Sequence, residues 1–252
     1  MQIEAVFFDL FDTLLLIDTR QDFYTPALIR LHNFLANKGI NIPFEDFSQA
    51  YFEVRDKLYE EASKSLKEPH FNIRVSLTLK KLGYNYEAFD PIVSGATSAF
   101  ADEFARYVSL DKGTISLLQK LQGKYLLGLI SNFALPECVH NLLKKFHLNQ
   151  FFDTIIISGE INRRKPSPEI FQKALKTLNV EASKAIFVGD TLHLDVKGAK
   201  NAGMKTVLIK RKASMTDDPK SLIWKTPEEN PPIKPDIIID SLKELLSILE
   251  RR

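Results

Sequence analysis

A chain of 252 residues, 44% of them hydrophobic and 18 of them Phe, is long enough to bury a substantial core, as one large domain or as a core carrying an insertion. Lys and Arg number 34 against 32 Asp and Glu, and a formal charge of +2 without any long basic run excludes a nucleic-acid binder held by charge. The single cysteine, Cys138, excludes an internal disulfide and a Cys-rich metal site, and no apolar stretch approaches the roughly 20 residues of a membrane span.

Ile3 to Phe8 is rich in β-branched and aromatic residues, which predicts a buried strand of a parallel sheet. A strand starting at about Ile3 leaves no room for a signal peptide, so a cytoplasmic protein is expected. The run ends in Asp9, followed by a polar turn through Asp12 and Thr13 and a second apolar run. Ligands of open parallel sheets bind outside the carboxyl ends of the strands, so Asp9 is a candidate nucleophile or metal ligand. Taken alone, it reads more readily as a turn cap.

From about residue 16 to 108 the pattern is helical, with no convincing strand. Pro26 to Leu35 runs to a stop at Gly39, Pro43 to Ser65 repeats Phe44, Phe47, Tyr51, Val54, Leu58 and Ala62 on one face, and 71–82 and 89–108 give two more helices. From about Ser109 strands and helices alternate, the pattern of a doubly wound α/β core. Strands are predicted near 125–130, 154–158, 185–189, 205–209 and 236–239, and helices near 112–122, 135–146, 167–178, 192–202 and 240–250. The stretch 211–235, with several prolines and charges, reads as a long surface loop.

The apolar runs of this half close on reactive groups. One ends in Ser131-Asn132; one leads through Ser158-Gly159 to Arg163-Arg164-Lys165-Pro166-Ser167-Pro168-Glu169; one ends in Gly189-Asp190 with Asp195 five residues on. Read singly, Ser131 is a turn serine, Asp195 a first-turn helix acid favoured by the helix dipole, and the two arginines a solvated loop. Gathered at one sheet edge, an acid, a hydroxyl, a lysine and a pair of acids are the parts that hold a phosphoryl group and a divalent cation.

With these residues in this order, the chain resembles the haloacid dehalogenase superfamily of hydrolases over essentially its whole length. The resemblance implies a Rossmann-like α/β core formed by residues 1–15 and 109–252, with residues 16–108 as the α-helical cap of subfamily I. It further implies that Asp9 attacks phosphorus and forms an aspartyl-phosphate, splitting one displacement into two. The metal site would comprise Asp9, the backbone carbonyl of Phe11 and Asp190 as ligands of Mg²⁺, with Asp195 orienting a metal-bound water or Lys165. Ser131 and the Asn132 backbone would donate to phosphate oxygens, Lys165 would neutralise charge, and Thr13 would bond within the first loop. The implied substrate is a small phosphorylated metabolite, for a monomer or homodimer with neither nucleic acid nor membrane as partner.

One position departs from the family. Phosphatases of this superfamily carry a second Asp two places after the nucleophile as general acid/base; here that place is Phe11 and Asp12 follows it. An aromatic there resembles the 2-haloacid dehalogenase branch, whose leaving halide needs no proton. That branch lacks the acids matched by Asp190 and Asp195, and Arg20 and Arg30 are the only nearby candidates for a halide-binding arginine. The acids favour phosphoryl chemistry. A pseudo-enzyme that binds phosphorylated ligands is a third reading, disfavoured by an intact Asp9. Loss of general acid catalysis, worth roughly 10²–10⁴-fold, predicts slow turnover of alkyl phosphates and much less effect on aryl or acyl phosphates. Specificity would be set between residues 16 and 108, where His32, His70, Arg55 and Arg74 join the two arginines as candidates. His193 reads as a surface or packing residue, and Cys138 as structural.

Overall fold

A computed structural model describes residues 3–211 and 233–250, and in it β1 (Ala5–Phe8) is the strand the sequence predicts. Its side chains alternate: Val6 and Phe8 enter one apolar cluster, Ala5 and Phe7 another on the opposite face, and all four are fully buried. Burial on both faces is the signature of a parallel sheet covered by helices on each side. Each such Phe contributes about 1.5–3 kcal/mol relative to an exposed ring.

In chain order, the elements after β1 are β2 (Leu15–Ile17), α1 (Tyr24–Asn37), α2 (Phe44–Ser65), α3 (Phe71–Lys81), α4 (Pro91–Phe104) and β3 (Val108–Leu110). Then follow α5 (Thr114–Leu121), β4 (Leu126–Ser131), α6 (Pro136–Lys145), β5 (Thr154–Ile157), the single turn α7 (Ser158–Ile161), α8 (Pro168–Leu178) and β6 (Ala185–Gly189). A wide π turn over Leu192–Val196, α9 (Lys197–Asn201), β7 (Lys205–Ile209), β8 (Ile237–Ile239) and α10 (Leu242–Glu250) complete the described chain. The predicted helix at 192–202 is thus a π turn running into a short α-helix. The loop expected at 211–235 lies, apart from its ends, outside the described residues.

Among the described residues, six strands form one parallel sheet in the order β5-β4-β1-β6-β7-β8. The chain builds outward from β1 on one side through β4 and β5, then returns to the other side at β6, so the order reverses at β1. Phe7 packs against β4 at Gly128, where a Cβ would lie 2.3 Å from the Phe7 ring. No larger residue fits there without displacing the Phe7 ring from its buried position.

Helices α1 to α4 bear out the helical reading of residues 24–104, and their buried Leu28, Leu31, Phe47, Tyr51, Phe71, Val75 and Phe100 join the same cluster as Phe8 and Leu14. Gly39 after α1 takes a positive φ of 86°, as its reading as a helix stop requires. One expectation is corrected: the stretch from 16 to 108 is not strand-free at its ends. β2 and β3 pair antiparallel, Leu15 with Leu110 and Ile17 with Val108, and the helix predicted at 89–108 ends at Phe104. Three-residue strands are too short to show a period of two. Among the described residues no helix is long and apolar enough to cross a membrane.

Candidate active site

Asp9 follows β1, Ser131 closes β4 and Asp190 follows β6, so three neighbouring strands deliver these residues to the crevice where the strand order reverses. Lys165 arrives from the loop between α7 and α8 and is buried to 2% exposure. Its Nζ donates to Asp9 Oδ1 at 2.5 Å and to Asp195 Oδ1 at 2.7 Å. Thr13 Oγ1 donates to the other Asp9 oxygen at 3.3 Å. Asp195 is turned back toward β6 by the π turn, and its Oδ2 accepts from the Thr191 backbone N–H at 3.0 Å. That placement depends on Gly189, where a Cβ would lie 2.4 Å from Asp195 Cγ.

Asn132 acts through its side chain as well as its backbone. Its Oδ1 accepts from Lys165 N at 2.8 Å and its Nδ2 donates to Lys165 O at 3.0 Å, so one amide clamps both sides of the lysine backbone. Beside it, Ser131 Oγ is fully buried with no hydrogen-bond partner among the described residues. Buried hydroxyls are ordinarily bonded, and an oxygen-rich ligand at this strand end would supply the missing partner.

The acids of the site repel one another. Burial, reinforced by Asp195 and only partly offset by Lys165, pushes the Asp9 carboxyl up to about 7. Burial followed by the fields of Asp195, Asp9 and Asp12 holds Asp190 well above the usual carboxylate range. Lys165 shows the converse: burial opposes its charge, but Asp195 and Asp9 outweigh it and raise the ammonium above its ordinary value. Asp9, Asp190 and Asp195 each bring a carboxylate oxygen within 4.8 Å of the others. Hard oxygen donors with surplus negative charge are the donor set a small divalent cation requires, and the residues present fit such an ion.

The remaining predicted residues fall in several places. The Phe11 ring leans on Phe133 at 4.9 Å and Phe104 at 5.8 Å between ring centres, an apolar contact rather than a proton donor. Asp12 adopts a positive φ of 54°, and its carboxylate accepts from the Ile17 backbone N–H at 3.2 Å. Arg20 pairs with Asp18 and Arg30 lies 3.8 Å from Glu103, both with largely exposed side chains, so each halide-site candidate is paired with an acid near the surface. His70 caps α3 by accepting from Asn72 N at 3.1 Å, and His32 lies 2.7 Å from the Ile42 carbonyl. Arg55 pairs with Asp56, Cys138 is buried on α6, and His193 is half-buried in the π turn.

Arg211 is a site neighbour that sequence reasoning missed. Its Nε donates to Asp12 O at 2.7 Å, one terminal nitrogen to Thr13 O at 2.5 Å, and the other to Asp111 Oδ2 at 3.1 Å. It binds the loop after β1 to the end of β7 and to the chain leaving β3. Arg211 is the first residue of the stretch read from sequence as a surface loop, and no pattern of residue types near it indicates that partner.

A parallel sheet reversing at β1, with an acid, a hydroxyl, a lysine and a second acidic pair at its carboxyl edge, defines a hydrolase of the haloacid dehalogenase type. The family model described as haloacid dehalogenase-like hydrolase matches residues 45–209, and the chain belongs to that family. Among curated relatives, it is 33% identical over 209 residues to a glyceraldehyde 3-phosphate phosphatase of Pyrococcus abyssi, covering 82% of each chain. It is 29% identical over 252 residues to the Pyrococcus furiosus protein of the same name, covering 99% of this chain and 94% of that one. A solved 2-haloacid dehalogenase from Pseudomonas syringae pv. Tomato superposes with a TM-score of 0.71 at 24% identity over 99% of both chains, a likeness of fold.

Proposed function

We propose that this hydrolase is a Mg²⁺-dependent phosphatase of small phosphorylated metabolites that works through an aspartyl-phosphate on Asp9. The observation that carries the reading is the joint placement of Lys165 on Asp9 and Asp195 with Asp190 alongside, an arrangement a carbon–halogen displacement does not require. The names of the Pyrococcus relatives point to the same reaction class. Residues 16–108 serve as the cap that closes over the core formed by 1–15 and 109–252. The protein acts in the cytoplasm.

In this reading an Asp9 oxygen attacks phosphorus in line and the bond to the leaving oxygen breaks. Water then attacks the aspartyl-phosphate and frees Asp9 with inorganic phosphate. Ser131 Oγ and the Asn132 backbone N–H donate to the phosphoryl oxygens, and Lys165 offsets the charge that builds on them. Thr13 steadies the nucleophile through its bond to the second carboxylate oxygen. Mg²⁺ would be held by Asp9, the Phe11 carbonyl and Asp190, with Asp195 fixing Lys165, and would supply positive charge to the transferring group. Because Phe11 offers no proton, the leaving group draws its proton from water, which favours aryl and acyl phosphates over alkyl phosphates.

The deciding experiment is steady-state hydrolysis of an aryl, an acyl and an alkyl phosphate and a 2-chloro acid, with and without Mg²⁺, using Asp9→Asn as control. Metal-dependent phosphate release, fastest from the aryl and acyl compounds and lost in Asp9→Asn, is expected. Halide release without metal would place the chain with the dehalogenases, and binding without any turnover would make it a pseudo-enzyme.

A further inference from the structure

Arg74 on α3 is only 5% exposed, yet its polar partners are phenols. One terminal nitrogen donates to Tyr51 Oη at 3.2 Å and Tyr24 Oη at 3.4 Å, and those hydroxyls lie 2.7 Å apart. The guanidinium lies 5.0 Å from the ring centres of Tyr59 and Phe71. Its Nε is buried without a hydrogen-bond partner. A charge taken out of water needs an opposite charge and full hydrogen bonding to be compensated, and phenols supply neither completely.

This side chain lines a cavity of about 80 Å³ shared with Tyr59, Glu68, Phe100, Asn132 and Arg164. Glu68 is engaged by Arg164 at 3.5 Å and by the Ser158 hydroxyl at 3.4 Å, which leaves Arg74 as the excess positive charge on the wall. Asn132 belongs both to this cavity and to the clamp on Lys165, so the cavity opens beside the proposed phosphoryl site. Its volume equals roughly five to eight water molecules, room for a carboxylate or phosphoryl group but not for a nucleoside. Arg presents parallel donors that match either group.

We propose that Arg74 is a specificity-determining residue that selects small phosphate esters or anhydrides carrying a second anionic group, which occupies the cavity beside Asn132. The proposal rests on the phosphatase reading above. It deepens that reading by naming the substrate class: the phosphoryl group lies at Asp9 and Ser131, and the second anion lies against Arg74.

The test compares three compounds on the Mg²⁺-loaded full chain: 2-phosphoglycolate, inorganic pyrophosphate and the neutral-tailed glycolaldehyde phosphate. Wild type should favour at least one doubly anionic compound over glycolaldehyde phosphate by tenfold or more in kcat/KM, mainly through KM. Whether that is phosphoglycolate or pyrophosphate tells a carboxylate from a phosphoryl group. Arg74→Met should erase the preference, while Arg74→Lys keeps part of it. Where Arg74→Met does not fold, Arg74→Gln, which retains donors for the phenols, is read the same way. A folded variant with the preference intact, or a wild type without one, would overturn the proposal. If no compound, para-nitrophenyl phosphate included, releases phosphate, the phosphatase reading fails. Calorimetric binding of 2-phosphoglycolate then decides: a tenfold weaker Kd in the variant supports the role of Arg74, and an equal Kd refutes it.

Discussion

Asp9 sits between two demands, burial together with Asp195 opposing its charge and a lysine that stabilises it. Replacing it by Asn removes the proposed nucleophile and should lower phosphate release at least 10³-fold while the fold survives, read by steady-state kinetics alongside circular dichroism. Asp12 differs although it is only three residues away. Its carboxylate bonds the Ile17 backbone and its φ is positive, a conformation Asn also tolerates. Asp12→Asn should therefore cost less than tenfold in kcat; a loss as complete as that of Asp9→Asn would make Asp12 the substitute for the acid absent at Phe11. Cys138 gives a pH prediction. Burial, aided by Asp102 and Glu137, pushes its thiol up to about 12, and only the thiolate reacts. At pH 8 roughly one molecule in ten thousand carries the thiolate, so Ellman's reagent should label Cys138 only on unfolding.

The elements around the site are tied together by contacts that span long stretches of chain. Arg211 at the end of β7 reaches back 198 residues to Thr13. Arg211→Met should destabilise the protein by about 1–3 kcal/mol in denaturant unfolding and lower kcat, because charge-assisted bonds to two loop carbonyls are lost. Asp236 fastens the start of β8 to β7 by accepting from the Thr206 N–H and hydroxyl and from Lys200. Burial works against its charge, but those bonds hold it below the usual carboxylate range. A lowered folded value means its stabilisation is present above the unfolded value near 4 and fades as pH falls through the folded one. The stability gap between wild type and Asp236→Asn should therefore close on acidification from pH 5 to 3. Such contacts mark the limit of what the sequence makes legible. Asp9, Ser131 and Asp190 could be placed because each closes an apolar run, Lys165 only through the Lys-Pro-x-Pro-Glu pattern of the resemblance, and α1 to α4 because their apolar faces repeat over many turns. Arg211, the side-chain amide of Asn132 and the partners of Arg74 depend on separations of 23 to 199 residues, which no local period encodes. The β2–β3 ribbon, three residues a side and 91 apart, escaped for the same reason.

At the scale of the whole molecule, the uncompensated acids should make stability depend on metal and pH together. Asp9 has a folded value of about 7 against 3.8 when unconstrained, so its contribution is fully present below pH 4 and is lost as pH rises toward 7. In chelator, the midpoint of thermal unfolding should fall between pH 5.5 and 8, and Asp9→Asn should flatten that fall. Mg²⁺ at 100 times its Kd should restore about 2.7 kcal/mol, and Asp190→Asn should abolish the effect. The antiparallel ribbon has a further consequence, for how such a chain can be remodelled. Ile17 and Val108 are direct neighbours across it, so residues 18–107 depart and return roughly 5 Å apart. A two-residue reverse turn would span that gap, so the chain leaves and re-enters the sheet layer at one place, and the length of the helical segment between can change without altering where β1 and α5 are joined to it.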